Sequence, residues 1–186
     1  KPYSTDPAVL KQWQPLLHQL EGTPRLTGDP QVIENILQSG DPQSGYINVA
    51  GNMGLSASGW SWSAQLGDLN SDGYLDAYVV NGMIALELFG QLPNSELVEE
   101  NQAFRNRGGQ QFEPAPDWQL NSIRSGRGMT MADMDGDGDL DMYMLNNSFK
   151  AIGSFDLRRN IRNTRDSLGG HKLYRNEAGV FRDVST

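Results

Sequence analysis

Apolar residues in the first 45 positions recur at helical spacing, whereas those from Tyr46 onward fall in short β-prone runs separated by Gly, Asn, Asp and Ser. Asp6-Pro7 sets a capping side chain before a proline at the first helical position. Val9, Leu10, Trp13, Leu16, Leu17 and Leu20 then share one face. Pro15 is expected to kink or split that helix. A second start, Asp29-Pro30, precedes Val32, Ile33, Ile36 and Leu37, with Gly40 placed to end it. Residues 1–45 therefore read as a helical N-terminal segment, capping a core edge or docking a partner.

Beyond Tyr46 the chain repeats itself. The stretch from Gly67 to Asn81 returns from Ala132 to Asn146 at an offset of 65. The flanks repeat as well: Phe104-Arg105-Asn106 before Phe112 matches Tyr174-Arg175-Asn176 before Phe181. Strand candidates fall around 46–49, 61–66, 77–80 and 103–105, then at Phe112 and around 128–132, 142–145 and 172–175. Four short strands per unit is the arithmetic of a β-propeller blade. The expected fold is mainly β, with complete units at 46–111 and 112–180 and a third opening at 181–186. A closed propeller needs roughly four to eight blades, so the chain reads as an excerpt.

Two inserts interrupt the units. Residues 84–100 carry Leu86, Leu88, Phe89 and Leu92, then Glu96, Glu99 and Glu100, read with Glu87 as a solvated acidic face. Residues 148–170 carry Lys150, Arg158, Arg159, Arg162 and Arg165, a basic insert read as a solvated loop or a grip for an anionic partner.

Composition narrows the chemistry. The 186 residues hold no Cys and carry a net charge of −8. Disulfides, thiolate metal sites and a Cys nucleophile are excluded. Acidity disfavours nucleic acid, and no apolar run approaches the roughly 18 residues of a membrane span. No basic, apolar and small-residue leader precedes Lys1, so the start reads as processed or truncated.

The repeated loops carry the strongest chemical pattern. Counting from Asp68, side-chain oxygens stand at positions 1, 3, 5 and 9: Asp68, Asn70, Asp72 and Asp76. The second loop has Asp133, Asp135, Asp137 and Asp141 there. Gly73 and Gly138 occupy position 6, where a tight turn is needed, and the carbonyls of Tyr74 and Asp139 at position 7 can turn inward. Hard oxygen donors without nitrogen or sulfur suit Ca²⁺, giving two expected sites. Crowded carboxylates repel one another, and a divalent ion reverses that repulsion. An EF-hand would need an acidic ligand at position 12, where this chain has Val79 and Met144. The alternative without metal is a pair of Asp-Gly hairpin turns.

Asp-x-Asn/Asp-x-Asp-Gly-x-x-Asp before a strand, with Phe-Arg-Asn or Tyr-Arg-Asn and a following Gly turn, resembles FG-GAP/VCBS repeats of the integrin α-subunit type. Trp60-Ser61-Trp62 and Gly126-Arg127-Gly128-Met129 ahead of the loops are most similar to bacterial cartilage acidic protein-like chains that carry an ASPIC/UnbV module. The resemblance covers residues 46–186. It implies Ca²⁺ on both loops and a recognition or adhesion scaffold that is extracellular, on the cell surface or periplasmic.

Three roles follow as expectations. The first is a non-enzymatic calcium-stabilised module that binds a protein or surface glycan. The second is the accessory propeller of a polysaccharide- or phosphodiester-acting enzyme. The third is a subunit that self-associates through open β edges. His18 and His171 read as ordinary surface or packing residues rather than catalysts, and no catalytic residue is assigned. Asn146-Asn147-Ser148 is a formal glycosylation acceptor.

Overall fold

The computed structural model describes residues 2–22, 33–43, 45–147 and 170–185. Its elements, in chain order, begin with α1 (Pro7–Glu21), β1 (Gln38–Asp41), β2 (Gly45–Asn48), β3 (Ser61–Gly67), β4 (Asp76–Asn81) and β5 (Met83–Ile84). There follow α2 (Leu86–Phe89), β6 (Glu96–Leu97), β7 (Gln102–Asn106), β8 (Phe112–Pro114), β9 (Gly126–Ala132), β10 (Asp141–Asn146), β11 (Lys172–Asn176) and β12 (Phe181–Asp183). The described residues form a mainly β fold of twelve strands in four sheets.

Two antiparallel four-stranded sheets, β3-β4-β7-β8 and β9-β10-β11-β12, form the body. Alternation along β4 decides how they stack. Tyr78 and Val80 point into one cluster with Met129, Met142 and Met144 of the second sheet, closed by Trp118, Leu120 and Phe181. Ala77 and Val79 point the other way, onto Leu55, Phe104 and Phe112. At the repeat offset, Tyr78 and Val80 become Tyr143 and Leu145, while Ala77 and Val79 become Met142 and Met144. The sheets thus meet head to tail, one face of the first against the opposite face of the second. Leu145, equivalent to the wholly buried Val80, is 43% exposed.

Strand phase differs from the sequence expectation. Phe112 closes the first sheet as its fourth strand instead of opening the second unit, and Phe181 does the same for the second sheet instead of opening a third. The turns after Asn106 and Asn176 are too short to carry the chain elsewhere, so each following strand folds back on β7 or β11. The run around Tyr46 stands outside both sheets and pairs with β1.

That hairpin also corrects the second helix. Asp29, Pro30 and Val32 lie outside the described residues, but Gly40, expected as a helix stop, sits within β1 opposite Tyr46. A Cβ on Gly40 would stand 2.7 Å from the Tyr46 ring, so the glycine makes room for an aromatic across the strand pair. The basic insert falls, but for Gly170, outside the described residues.

Helix α1 forms as expected, with Asp6 Oδ1 accepting from the Ala8 N–H at 2.8 Å. It continues through Pro15 without the expected split. Trp13 and Leu16, on either side of that proline, are buried against Phe89 and Leu97, with Trp60 alongside. Each such side chain contributes about 1.5–3 kcal/mol, enough together to offset the roughly 3 kcal/mol of an internal proline.

The acidic face assigned to residues 84–100 is corrected at two positions. Glu96 and Glu99 are each only 7% exposed. The Trp13 indole donates to Glu99 Oε1 at 2.8 Å and the Trp60 N–H to Oε2 at 2.7 Å, so Glu99 clamps α1 to the first sheet. Burial pushes its carboxyl above the ordinary glutamate value, partly opposed by these two donors. Glu87 and Glu100 remain exposed.

Two outcomes follow. Met142→Ala, which empties a fully buried position, should cost about 2–5 kcal/mol in urea unfolding, whereas Leu145→Ala should stay within about 0.5 kcal/mol. Glu99 holds its proton more tightly folded than unfolded, so its contribution to stability is greatest in acid and is lost as pH rises. Unfolding free energies of wild type minus Glu99→Gln should therefore shift toward wild type as pH falls from neutrality to the ordinary glutamate range of about 4.3.

Candidate metal centre

Both acidic loops join neighbouring antiparallel strands, the first β3 to β4 and the second β9 to β10. Alternate side chains converge because the chain curls around its own backbone N–H groups. In the first loop Asp68 accepts from the N–H groups of Asp72 and Gly73 at 3.0 and 2.9 Å. In the second, Asp133 accepts from Gly136, Asp137 and Gly138 at 2.7, 3.1 and 3.1 Å. At position 6 Gly73 and Gly138 have φ of 89° and 98°, a region open to glycine without a Cβ penalty.

Position 9 has a different role from the rest. Asp76 is fully buried, with Oδ2 accepting from the Leu69 N–H at 2.9 Å and Oδ1 from the Asn106 N–H at 2.8 Å. Asp141 repeats this with Met134 and Asn176, both at 2.9 Å. These carboxylates fasten the loop to the second and third strands of each sheet. Burial, with the charges of Asp72 and Asp68, pushes the Asp76 carboxyl up, and the two N–H donors oppose it.

The loops differ in how far the remaining acids meet. Carboxylate oxygens of Asp133, Asp135 and Asp141 all lie within 4.8 Å of one another, and Asp135 and Asp133 face solvent. Among the described residues, Asp68, Asp72 and Asp76 do not meet at that spacing. In their loop the Asn70 amide donates to Asp72 Oδ2 at 3.0 Å, so a neutral donor occupies part of the space between the acids. Asp137 and Asp72 each accept from the N–H two residues on, at 3.1 and 2.9 Å, which holds position 7 in the turn.

The donor set fits a hard divalent cation. It is all oxygen, no Lys or Arg pairs with it among the described residues, and Asp135 has no hydrogen-bond partner there. Asp139 adds a signal that the sequence reading, which used only its carbonyl, did not have. Its Oδ2 accepts from the Ala178 N–H at 3.1 Å, while Oδ1 is buried without a hydrogen-bond partner among the described residues. Burial and the charges of Asp137 and Asp141 raise its carboxyl. Tyr74, its counterpart, is half exposed.

The sequence reading missed the function of two asparagines. Asn106 and Asn176 donate side-chain N–H to Leu75 and Leu140 carbonyls at 2.9 and 3.2 Å, and accept from Gly109 and Gly179 at 2.7 and 2.8 Å. The repeated Asn-x-x-Gly spacing was the signal for this double role. The histidines lie away from the loops: His18 is exposed beside Glu21, and His171 Nδ1 accepts from the Asn146 N–H at 3.3 Å. Asn146 itself is 5% exposed and its Nδ2 is bound to the Gly170 carbonyl at 2.8 Å, so the glycosylation acceptor is corrected to a structural asparagine.

Residues 87–144 match the model of an FG-GAP-like repeat. The match runs from α2 through β10 and contains the whole second loop, while the first loop is tied to it by the 65-residue offset. It is a match to the repeat and does not extend to the cartilage acidic protein-like or ASPIC/UnbV subfamily. No curated protein matches the chain. Among the described residues no helix is long and apolar enough to cross a membrane.

The two kinds of aspartate separate experimentally. With chelator present, Asp141→Ala strands the N–H groups of Met134 and Asn176 and should cost about 2 kcal/mol or more, whereas Asp135→Ala, which relieves like-charge repulsion, should hold or slightly raise the urea midpoint.

Proposed function

We propose that this chain is a calcium-binding, non-enzymatic repeat module of an exported or cell-surface protein. Its two acidic loops stiffen the sheets so that their edges and surfaces can be used for recognition. The observation that carries this is the convergence of the Asp133, Asp135 and Asp141 oxygens, with no Lys or Arg paired to them among the described residues, on a strand-to-strand loop inside an FG-GAP-like repeat.

Bound Ca²⁺ would supply two positive charges and a flexible coordination shell of six to eight oxygens. The residues do the remaining work. Asp133, Asp135, Asp137 and Asp141 would hold the ion in the second loop, with the Asp139 carbonyl at position 7. Asp68, Asn70, Asp72, Asp76 and the Tyr74 carbonyl would do so in the first. Asp141 and Asp76 transmit that order to the sheets, because each lies at the start of a second strand and is hydrogen-bonded both to its own loop and to the third strand. Millimolar calcium outside the cell suits modules of this kind.

The outer edges β8 and β12 have no further strand partner among the described residues. Of the two, β12 is open to strand addition by a protein or a second copy, whereas the outward Phe112 N–H of β8 is already taken by the Met53 carbonyl at 2.9 Å; exposed loops nearby are able to meet a glycan.

Calcium titration by calorimetry should show two sites, the second loop tighter than the first because it has four carboxylates to three. Asp135→Ala should abolish the tighter one. At free calcium a hundredfold above Kd, the ion should add about 2.7 kcal/mol of stability, removed by chelator. Absence of heat, or full uptake at both loops by Asp135→Ala, overturns the assignment.

A further inference from the structure

Asn176 does something its counterpart Asn106 does not. Both end the third strand of a sheet, and both bond to their own acidic loop. The Asn176 Nδ2 group also donates to the Leu69 carbonyl at 3.0 Å, across to the other sheet. Leu69 is position 2 of the first loop, and its N–H is held by Asp76 Oδ2 at 2.9 Å. A continuous chain of bonds therefore runs from Asp141 through Asn176 and Leu69 to Asp76, linking position 9 of one loop to position 9 of the other. Asn176, Leu69 and Asp76 are all fully buried.

The turn after Asn176 makes a second connection. Ala178 N–H donates to Asp139 of the second loop, and Gly179 stands against Asn70 of the first, where an added Cβ would lie 3.7 Å from the Asn70 Cβ. One short turn is thus wedged between both sets of acids.

We propose that the two loops bind cations as a coupled pair, with Asn176 as the positioning residue that couples them. This rests on the calcium reading above. Ordering the second loop fixes Asp141, which fixes Asn176 and with it the Leu69 carbonyl. The first loop then has less conformational freedom to lose on binding its own ion. Such coupling is positive and reciprocal by thermodynamic linkage.

The test is calcium calorimetry on the full chain. Asp135→Ala disables the second loop at an exposed residue without a hydrogen-bond partner among the described residues, and should weaken calcium binding at the first by roughly fivefold or more. Asp72→Asn disables the first and should weaken the second by the same factor. In Asn176→Ala both factors should fall to about one. Asn176→Ser, which keeps a hydroxyl for the Gly179 N–H but shortens the reach to Leu69, should do likewise if the alanine variant does not fold. Factors near one in the native background, or tighter binding in the single-loop variants, overturn the coupling while leaving the calcium reading intact. Undiminished factors in the Asn176 variants overturn the assignment to that residue. No calcium heat in the wild type overturns both readings.

Discussion

A buried carboxylate with both oxygens committed to backbone N–H groups holds each sheet of this protein to its loop. Asp76 and Asp141 each accept from position 2 of their own loop and from the asparagine ending the third strand. Removing such a group from water is costly unless its lone pairs are matched, and here two donors match them. Three strands are thereby brought to a common end, and the rest of the loop is built outward from that fixed point.

The division of labour within the loop follows. Position 9 belongs to the sheet, positions 1 and 5 shape the turn by accepting from its N–H groups, and position 3 joins them only in the first loop, where Asn70 Oδ1 accepts from the Asp72 N–H at 3.2 Å. In the second loop the group at position 3 is Asp135, exposed and unbonded among the described residues, so like charges gather there with no Lys or Arg of those residues paired to them. In the first it is Asn70, whose amide bridges to Asp72. The substitution of one oxygen by an amide lets the first loop relieve part of its own repulsion, and it explains why only the second brings three carboxylates together among the described residues.

Much of this is legible in the sequence alone. The 65-residue offset located both loops, and the alternation around Tyr78 and Met142 located the central strands, because period and repetition are local properties of a chain. What sequence could not supply was pairing. Phe112 and Phe181 look alike whether they begin one sheet or finish another, and only the short Asn-x-x-Gly turns before them decide it. Glu99 reads as solvated beside Glu100, yet it lies under Trp13, a residue 86 positions away. Gly40 could stop a helix or clear space for Tyr46, and the choice depends on a partner strand that its own neighbourhood does not reveal.

The stacking of the two sheets uses unlike surfaces, Tyr78 and Val80 of one against Met142 and Met144 of the next. A contact made of two like halves saturates once a pair has formed, whereas unlike halves leave a free donor surface at one end and a free acceptor at the other. Lengthening by tandem duplication therefore asks for no newly invented join: every extra copy arrives already carrying both sides of the seam, and selection can act on unit number while leaving the joint itself alone.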